Sequence, residues 1–385
     1  MTKPSHNSRV SIVVFIDALG WEVLNGRRFL EEELPYRRKL RSVLGFSSAC
    51  VPSILTGRRP QDHHHWSFFF HEPDRSPFKA LRWMRFLPKW ISERGRVRNL
   101  ISRIVQRFHG YKGYFQLYNM PFEHLHLFDY CEKRDLFKPG GINRGRSIFD
   151  DLHMTGTKYH VSDWRESEDL NLQSLKNELA DGRIQFAFLY LADMDGLLHR
   201  VGKASEEVDA KLEWYETALR DVLASARCSY DEVHLHVCSD HGMATVHSTV
   251  DIMSEVERLG FVFGRDYIAT YDSTMARFWF LSENTDTAVR SLLETIPQGR
   301  ILEKSELSDL GCNFERDRFG ELIFLTNPGI LIVPSHMGHK PIAGMHGYHP
   351  DDPDSDASLL SNVTPPGDPQ CITDLYGLMR AEARV

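Results

Sequence analysis

The sequence predicts an α/β protein in which a mostly parallel sheet lies between helices. Three observations carry that expectation. Continuously apolar stretches such as "SIVVFI" suit strands covered on both faces. Such stretches alternate with helical ones, as in "RIQFAFLYLADMDG", "SEEVDAKLEWYETALRDVLASA" and "EVHLHVCSD". Three of the apolar stretches run into acids, Asp17, Asp195 and Asp240, and ligands of open parallel sheets gather at the carboxyl ends of strands.

Taken in order, "RVSIVVFIDALG" reads as a buried strand ending at Asp17. "EVLNGRRFLEEELPYRRKL" reads as helical, interrupted near Pro35. "FSSACVPSILTG" follows, then Pro60. Residues 62–145 look inserted, being rich in aromatic and basic residues, and are expected to form a helical cap. "GRSIFDDL" and "TKYHVS" give a helix and a strand. Ser205 is a fitting N-cap for the long amphipathic helix after it. Residues 255–335 read as a second insert, a small α+β unit. The Pro- and Asp-rich stretch 350–368 reads as loop, and "ITDLYGLMRAEA" as a closing helix.

With 385 residues, one large catalytic domain carrying inserts is expected. At 42% hydrophobic and 26% charged residues the composition is that of a soluble globular protein. A net charge of -7 argues against a surface made to coat duplex nucleic acid. The six cysteines form no CxxC pair, which argues against a disulfide framework and a cysteine zinc finger. "MTKPSHNSRV" has no apolar core of a leader, and no apolar run reaches membrane-spanning length, so the expectation is a cytoplasmic protein. Oligomeric state is not legible.

The chemistry concentrates in "VCSDHGM", where Asp240 and His241 stand side by side after an apolar strand. A charge at a buried strand end needs compensation, and a bound cation is the simplest source, since Asp and His are both metal ligands. Four further stretches join it: Asp17 in "FIDALGW", Ser47 and Ser48 in "SSACVPSILTG", "DMDGLLHRVG", and "GMHGYHP" with His346 and His349. Asp195 and His199 are four apart and can share one helix face. Asp193 is a rival for Asp195, but the D-x-x-x-H spacing favours the latter.

This set resembles the alkaline phosphatase superfamily, and most of all its nucleotide pyrophosphatase/phosphodiesterase branch. The resemblance covers residues 9–350 and rests on Asp17, Ser47 ten residues before Gly57, Asp195 with His199 and Gly202, Asp240 with His241, and His346. It implies an alkaline-phosphatase-like fold and two zinc ions, with manganese as a credible substitute. Asp195, His199 and His346 would hold one ion. Asp17, Asp240, His241 and the Ser47 oxygen would hold the other. The implied activity is hydrolysis of a phosphodiester or pyrophosphate bond in a small anionic, nucleotide-type substrate, with a phosphoserine intermediate on Ser47. A phosphomonoesterase or phosphotransferase of the same superfamily is the alternative, and a non-catalytic binder of phosphorylated ligands the other. Sulfatases, which place Cys before P-S-R at the nucleophile position, are disfavoured.

One departure stands out. The branch usually has Asn three residues after its nucleophile, and here that position is Cys50, a poor donor. Cys50 by its position, and Arg58 with Arg59 beside it, are then the candidate substrate-binding residues for a phosphoryl oxygen. His63, His64 and His65 read as loop and pocket rim, and His234 and His236 as packing or hydrogen-bonded residues. Segment 79–112 holds ten Lys/Arg and one Glu, and Val97, Leu100, Ile101, Ile104, Val105 and Phe108 fall at helical spacing. It reads as a cap packed on the core, as a lid drawing in anions, or as a peripheral membrane contact through Trp83, Trp90 and its cationic face.

Overall fold

The structure, a computed structural model, describes residues 8–86, 88 and 94–385. Trp90 and residues 1–7 of the leader reading lie outside the described residues. In chain order the strands are β1 (Arg9–Ile16), β2 (Tyr36–Leu40), β3 (Phe69–His71), β4 (Phe128–Tyr130), β5 (Tyr159–Val161), β6 (Phe186–Leu191), β7 (Glu232–Cys238) and β8 (Ala244–Thr245). They continue with β9 (Ser248–Val250), β10 (Tyr267–Tyr271), β11 (Met275–Phe280), β12 (Gly299–Ile301), β13 (Leu322–Thr326), β14 (Ile330–Ile332), β15 (Gly344–Met345) and β16 (Ala357–Ser361).

The central sheet runs β2-β16-β7-β1-β6-β5. β7, β1, β6 and β5 are mutually parallel, while β16 is antiparallel to both β7 and β2. β1 shows why the sheet is central. Val13 and Phe15 enter one hydrophobic cluster, and Val10, Ile12, Val14 and Ile16 enter another. The two-residue period of a strand thus feeds two cores, one on each face. The ends of β7, β1 and β6 then lie side by side, which brings the segments carrying Asp240, Asp17 and Asp195 to one edge.

Two expectations are overturned here. The stretch expected to be helical on both sides of Pro35 is one short helix, Trp21–Leu24, followed by turns and by β2. Residues 350–368 are not all loop: "ASLLS" is β16, wholly buried between β7 and β2. Short strands such as β2 and β16 gain their stability from pairing across the sheet, so the local sequence carries little of the signal.

Two further units flank the sheet. β10-β11-β13-β12 form an antiparallel sheet within the 255–335 interval, with helix Thr285–Glu294 against it. Within 62–145, β3 and β4 pair, and helix Gly95–His109 packs on the same aromatic cluster through Ile101 and Val105. The expected apolar stripe of that helix is split, because Leu100, Ile104 and Phe108 are exposed. Polar bonds set its rotation instead: Arg98 Nη1 donates to the Tyr118 and Met120 carbonyls at 2.6 and 2.8 Å, and Ser102 Oγ accepts from Leu117 N at 3.0 Å.

A single cation ties the two units together. Arg277, on β11, is 0% exposed. It donates to Asp272 (2.9 Å), Ser67 Oγ (2.8 Å), Phe69 O (3.1 Å) and Phe319 O (2.9 Å). A fully desolvated guanidinium is tolerated because its donors and its charge are both matched. Arg277→Ala would strand the Asp272 carboxylate in the interior. It is expected to lower unfolding free energy by about 3–5 kcal/mol in urea titrations, and a loss below about 1 kcal/mol would contradict this.

At the opposite end of the sheet Glu382, on helix Leu375–Ala383, accepts from Ser11 Oγ at 2.6 Å and His234 Nδ1 at 2.8 Å, and pairs with Arg9. Burial would raise its pKa, but hydrogen bonds from His236, Ser11 and His234 hold it well below the ordinary carboxylate range. Its stabilising contribution is therefore complete above the unfolded value of about 4.3 and is lost as pH falls toward the folded one. Glu382→Gln is expected to flatten the fall in stability between about pH 5 and pH 3, measured by denaturant midpoints; an unchanged slope would contradict it.

Candidate active site

Asp17 follows β1 directly, and its amide donates to Leu191 O at the end of β6 at 2.9 Å. Asp240 and His241 follow β7 after Ser239. Asp195 and His199 lie on helix Asp193–Val201, which starts just beyond β6. His346 follows β15, which pairs with β8 just after "SDHGM". Close approach of the loops explains two glycines. A Cβ on Gly20 would stand 2.2 Å from Gly242 Cα, so the turn after β1 reaches that after β7 only because Gly20 has no side chain, while a Cβ on Gly242 would stand 2.4 Å from Asp354 O. Ala18 pays for the same crossing with a left-handed φ of 62°, and its amide donates to Asp240 Oδ1 at 3.3 Å.

Ser47 is the first residue of helix Ser47–Thr56, after an extended Phe46. The amides of Ala49 and Cys50 bond to Phe46 O, so the first two amides of the helix remain for a ligand. Ser47 Oγ lies 3.1 Å from His241 Nε2. His241 Nδ1 is 3.0 Å from Gly242 O, which fixes the proton on Nδ1 and leaves Nε2 as an acceptor. His199 is oriented in the same manner, with Nδ1 2.8 Å from Gly344 O and Nε2 3.3 Å from Asp195 Oδ1.

Two groups of ligating atoms each fall within 4.8 Å of one another: Asp17, Asp240 and His241, and Asp195, His241 and His346. His241 belongs to both, and its ring stacks on that of His346 at 3.8 Å. His346 Nε2 is 3.5 Å from Asp195 Oδ1. The structure therefore brings Asp17, Ser47, Asp195, His199, Asp240, His241 and His346 into one place. Asp193 turns away to Lys211, and His349 to Glu306.

The electrostatics are unfavourable for a site made of protein alone. Asp17 Oδ1, Asp240 Oδ2 and His346 Nδ1 are buried without a hydrogen-bond partner, and Asp195 Oδ1 meets the rings of His199 and His346 at 3.3 and 3.5 Å. Burial and then the charges of Asp240 and Asp195 push Asp17 well above the carboxylate range. Burial, aided by the nearby Asp195, pushes Asp240 up to about 7. Burial acts the same way on Asp195, but the hydrogen bond and charge of His199 outweigh it and hold the acid low. His346 is kept neutral chiefly by burial. Asp17 Oδ2 accepts from Tyr190 OH at 2.6 Å, which aims Oδ1 inward. Paired carboxylates and neutral imidazoles with orphaned buried lone pairs are the donor set of a divalent-cation site. The third group of this kind, His234, His236 and Glu382, differs because Arg9, Ser11 and Ser361 already bond to it.

The cluster opens into a cavity of about 570 Å³. Its far walls are mostly aromatic and come from the inserts and loops, including Phe68, Tyr114, Tyr118, Phe137 and Trp164. Two expected substrate contacts are not there. Cys50 is fully buried against Ser42 and Val43 O, with its thiol pushed up by burial, and does not line the cavity. Arg58 lines a separate depression with Asp62, Arg144 and Glu315. Helix geometry explains both: a residue three positions along from Ser47 faces the core, and Arg58 lies beyond the far end of the helix. The histidine triplet is not a pocket rim. His63 bonds to Ser53 Oγ at 2.9 Å and His65 accepts from Asn143 N at 2.9 Å, which staples the insert to the Ser47 helix. Sequence reasoning missed Tyr190, Glu132 and Lys340, all cavity-lining. Only Tyr190, a hydroxyl in the apolar run "FAFLYL", left a visible sign.

A mostly parallel sheet with this cluster at its carboxyl edge defines an alkaline-phosphatase-like protein. Residues 11–349 match the family described as type I phosphodiesterase / nucleotide pyrophosphatase, and the chain belongs to that family. No curated protein matches the sequence. Among solved structures, murine ectonucleotide pyrophosphatase / phosphodiesterase 5 is similar with a TM-score of 0.68 at 14% identity, over 98% of this chain and 95% of that one. The human protein of the same description gives 0.69 at 13% identity over the same shares. Phosphonoacetate hydrolase from Sinorhizobium meliloti 1021 gives 0.67 at 12% identity, over 99% of this chain and 98% of that one.

The crowding of acids has a measurable consequence. Asp240→Asn keeps the Oδ1 acceptor for Ala18 N and His241 N while removing one buried charge. At pH 8 in a chelator this variant is expected to be more stable than the parent by about 1–3 kcal/mol; a less stable variant would contradict the electrostatic reading.

Proposed function

We propose that the protein is a metal-dependent hydrolase of phosphodiester or pyrophosphate bonds, acting through a phosphoserine on Ser47. The observation that carries this is the meeting of Ser47 Oγ with a buried set of acids and imidazoles whose inward atoms have no protein partner. Family membership supports the reaction class. The complexes of similar proteins, an inactive murine variant with AMP and the bacterial hydrolase with phosphonoformate, support a small anionic phosphorus-containing ligand.

In this proposal Asp17, Asp240, His241 and Ser47 hold one zinc ion, and Asp195, His199 and His346 the other, with manganese as substitute. Bound there, the pair supplies Lewis acidity at the attacking and leaving oxygens of an in-line displacement. The chain's own groups do the rest. His241 Nε2, whose one lone pair would go to its zinc ion, lies 3.1 Å from Ser47 Oγ and so keeps the hydroxyl beside it. Ser47 Oγ forms a bond to phosphorus as the P–O bond to the leaving alcohol or phosphate breaks, and the hydroxyl proton passes to solvent or to the departing oxygen. Water then attacks the phosphoserine, the Oγ–P bond breaks, and a proton of that water returns to Ser47 Oγ. The free amides at the start of helix Ser47–Thr56 receive the non-bridging oxygens in the place of the absent Asn side chain. Aromatic walls, with Lys340 the one Lys or Arg among the described lining residues, suit the one negative charge of a diester better than the two of a monoester.

Ser47→Ala is expected to lower kcat on bis-p-nitrophenyl phosphate by at least about 10³-fold while zinc content is retained. Retained activity would move the nucleophile elsewhere. The parent is expected to prefer that diester over p-nitrophenyl phosphate in kcat/KM, and the reverse preference would favour a monoesterase.

A further inference from the structure

Helix Gly95–His109 presents two rows of side chains to solvent. Leu100, Ile104 and Phe108 are 59%, 59% and 84% exposed. They stand four residues apart, so they form one apolar row along the helix. Arg96, Arg103 and Arg107 are also exposed, and helical geometry sets them in a second row, about 80° round the axis from the first. The core-facing Ile101 and Val105 lie on the other side of the apolar row. Among the described residues no acid pairs with Arg96, Arg103 or Arg107. The helix is held firmly in this rotation. Besides the bonds of Arg98 and Ser102, Gln106 Nε2 donates to Gly113 O at 3.1 Å, and Gln116 Nε2 donates to Asn99 Oδ1 at 3.2 Å.

A second element stands beside it. The short helix Lys79–Phe86 packs Leu81 and Met84 on the same aromatic cluster, and Met84 shares a surface depression with Arg98. It leaves Trp83 67% exposed, with the Arg82 guanidinium 6.0 Å from the ring centroid. A contiguous row of large apolar side chains in water marks a contact surface. What covers this one must be apolar where it meets Leu100, Ile104 and Phe108, and negative where it meets the arginines. An anionic bilayer surface has both layers, and Trp favours the boundary between them. Nucleic acid offers the charge without the apolar layer. A second copy of the chain would bring another arginine row toward the first. Among the described residues no helix is long and apolar enough to cross a membrane, so a contact made here lies in the plane of the surface.

We propose that the outer face of helix Gly95–His109, with Trp83 beside it, docks on an anionic lipid surface. Leu100, Ile104 and Phe108 enter the apolar boundary, and Arg96, Arg103 and Arg107 meet headgroup phosphates. None of these six residues lines the cavity or belongs to the acid and imidazole cluster, so the contact does not depend on the reaction at Ser47. The same helix holds the backbone of Gly113 and Leu117, on either side of the cavity-lining Tyr114. Docking therefore ties a wall of the cavity to the lipid surface.

The test is co-sedimentation of the full chain with two kinds of vesicle at low salt: phosphatidylcholine alone, and phosphatidylcholine with about 30% phosphatidylglycerol. The parent is expected to bind the anionic vesicles at least roughly tenfold more tightly than the neutral ones. L100S/I104S/F108S and, separately, R96Q/R103Q/R107Q are each expected to weaken that binding at least about tenfold. All six side chains are exposed, so both variants are expected to keep the parent's unfolding temperature. Should a triple variant unfold, F108S and R103Q alone, each expected to weaken binding about threefold, read the same two contributions. Equal binding to both vesicles, or anionic binding that either folded variant retains in full, would overturn the proposal. So would a parent dimer that L100S/I104S/F108S converts to a monomer, which would assign the face to a second copy. Binding is read without turnover, so the result stands whether or not the hydrolase reading does.

Discussion

The structure is organised around an electrostatic debt. Three acids, Asp17, Asp195 and Asp240, converge at the carboxyl ends of adjacent parallel strands, and two of them are held above their ordinary pKa by burial and by one another. Among the described residues no Lys or Arg reaches their inward oxygens. A fold that assembles such a group at a cavity floor is stabilised by positive charge supplied from outside the polypeptide.

Much of the fold serves that convergence. β1 divides its side chains between two cores, so the strand bearing Asp17 cannot shift without exposing one of them. Gly20 allows the β1 and β7 turns to touch, Gly242 makes room for the Asp354 carbonyl, and Ala18 accepts a left-handed backbone there. Tyr190, Gly242 O and Gly344 O then aim Asp17, His241 and His199. These outer contacts decide which atom of each ligand faces the centre. The inserts contribute a different property. Arg277 and the His63–His65 contacts fasten them to the sheet, so the aromatic walls stand at a fixed place relative to Ser47.

The sequence disclosed the parts whose chemistry is tied to strand ends. Asp17, Asp195 and Asp240 could be read because each follows an apolar run, and His199 because its spacing from Asp195 is one helical turn. β2 and β16 were hidden. β2 is polar and basic, "YRRKL", and β16 is five residues set among Pro, Asp and Ser; both exist because neighbouring strands accept them. Cys50 and Arg58 were misplaced because position along a helix says little about which face meets the cavity until the helix is docked. Glu132 carried no local sign at all: "DYCEKRD" is an ordinary charged stretch, and only the folded insert desolvates its acid.

The most direct test of the central claim is elemental analysis of the purified protein, paired with thermal unfolding before and after chelation. The account requires roughly two divalent cations per chain, and a lower unfolding temperature once they are removed that recovers when zinc is returned. A metal-free protein that hydrolyses diesters, and whose unfolding temperature ignores both chelator and zinc, would contradict it.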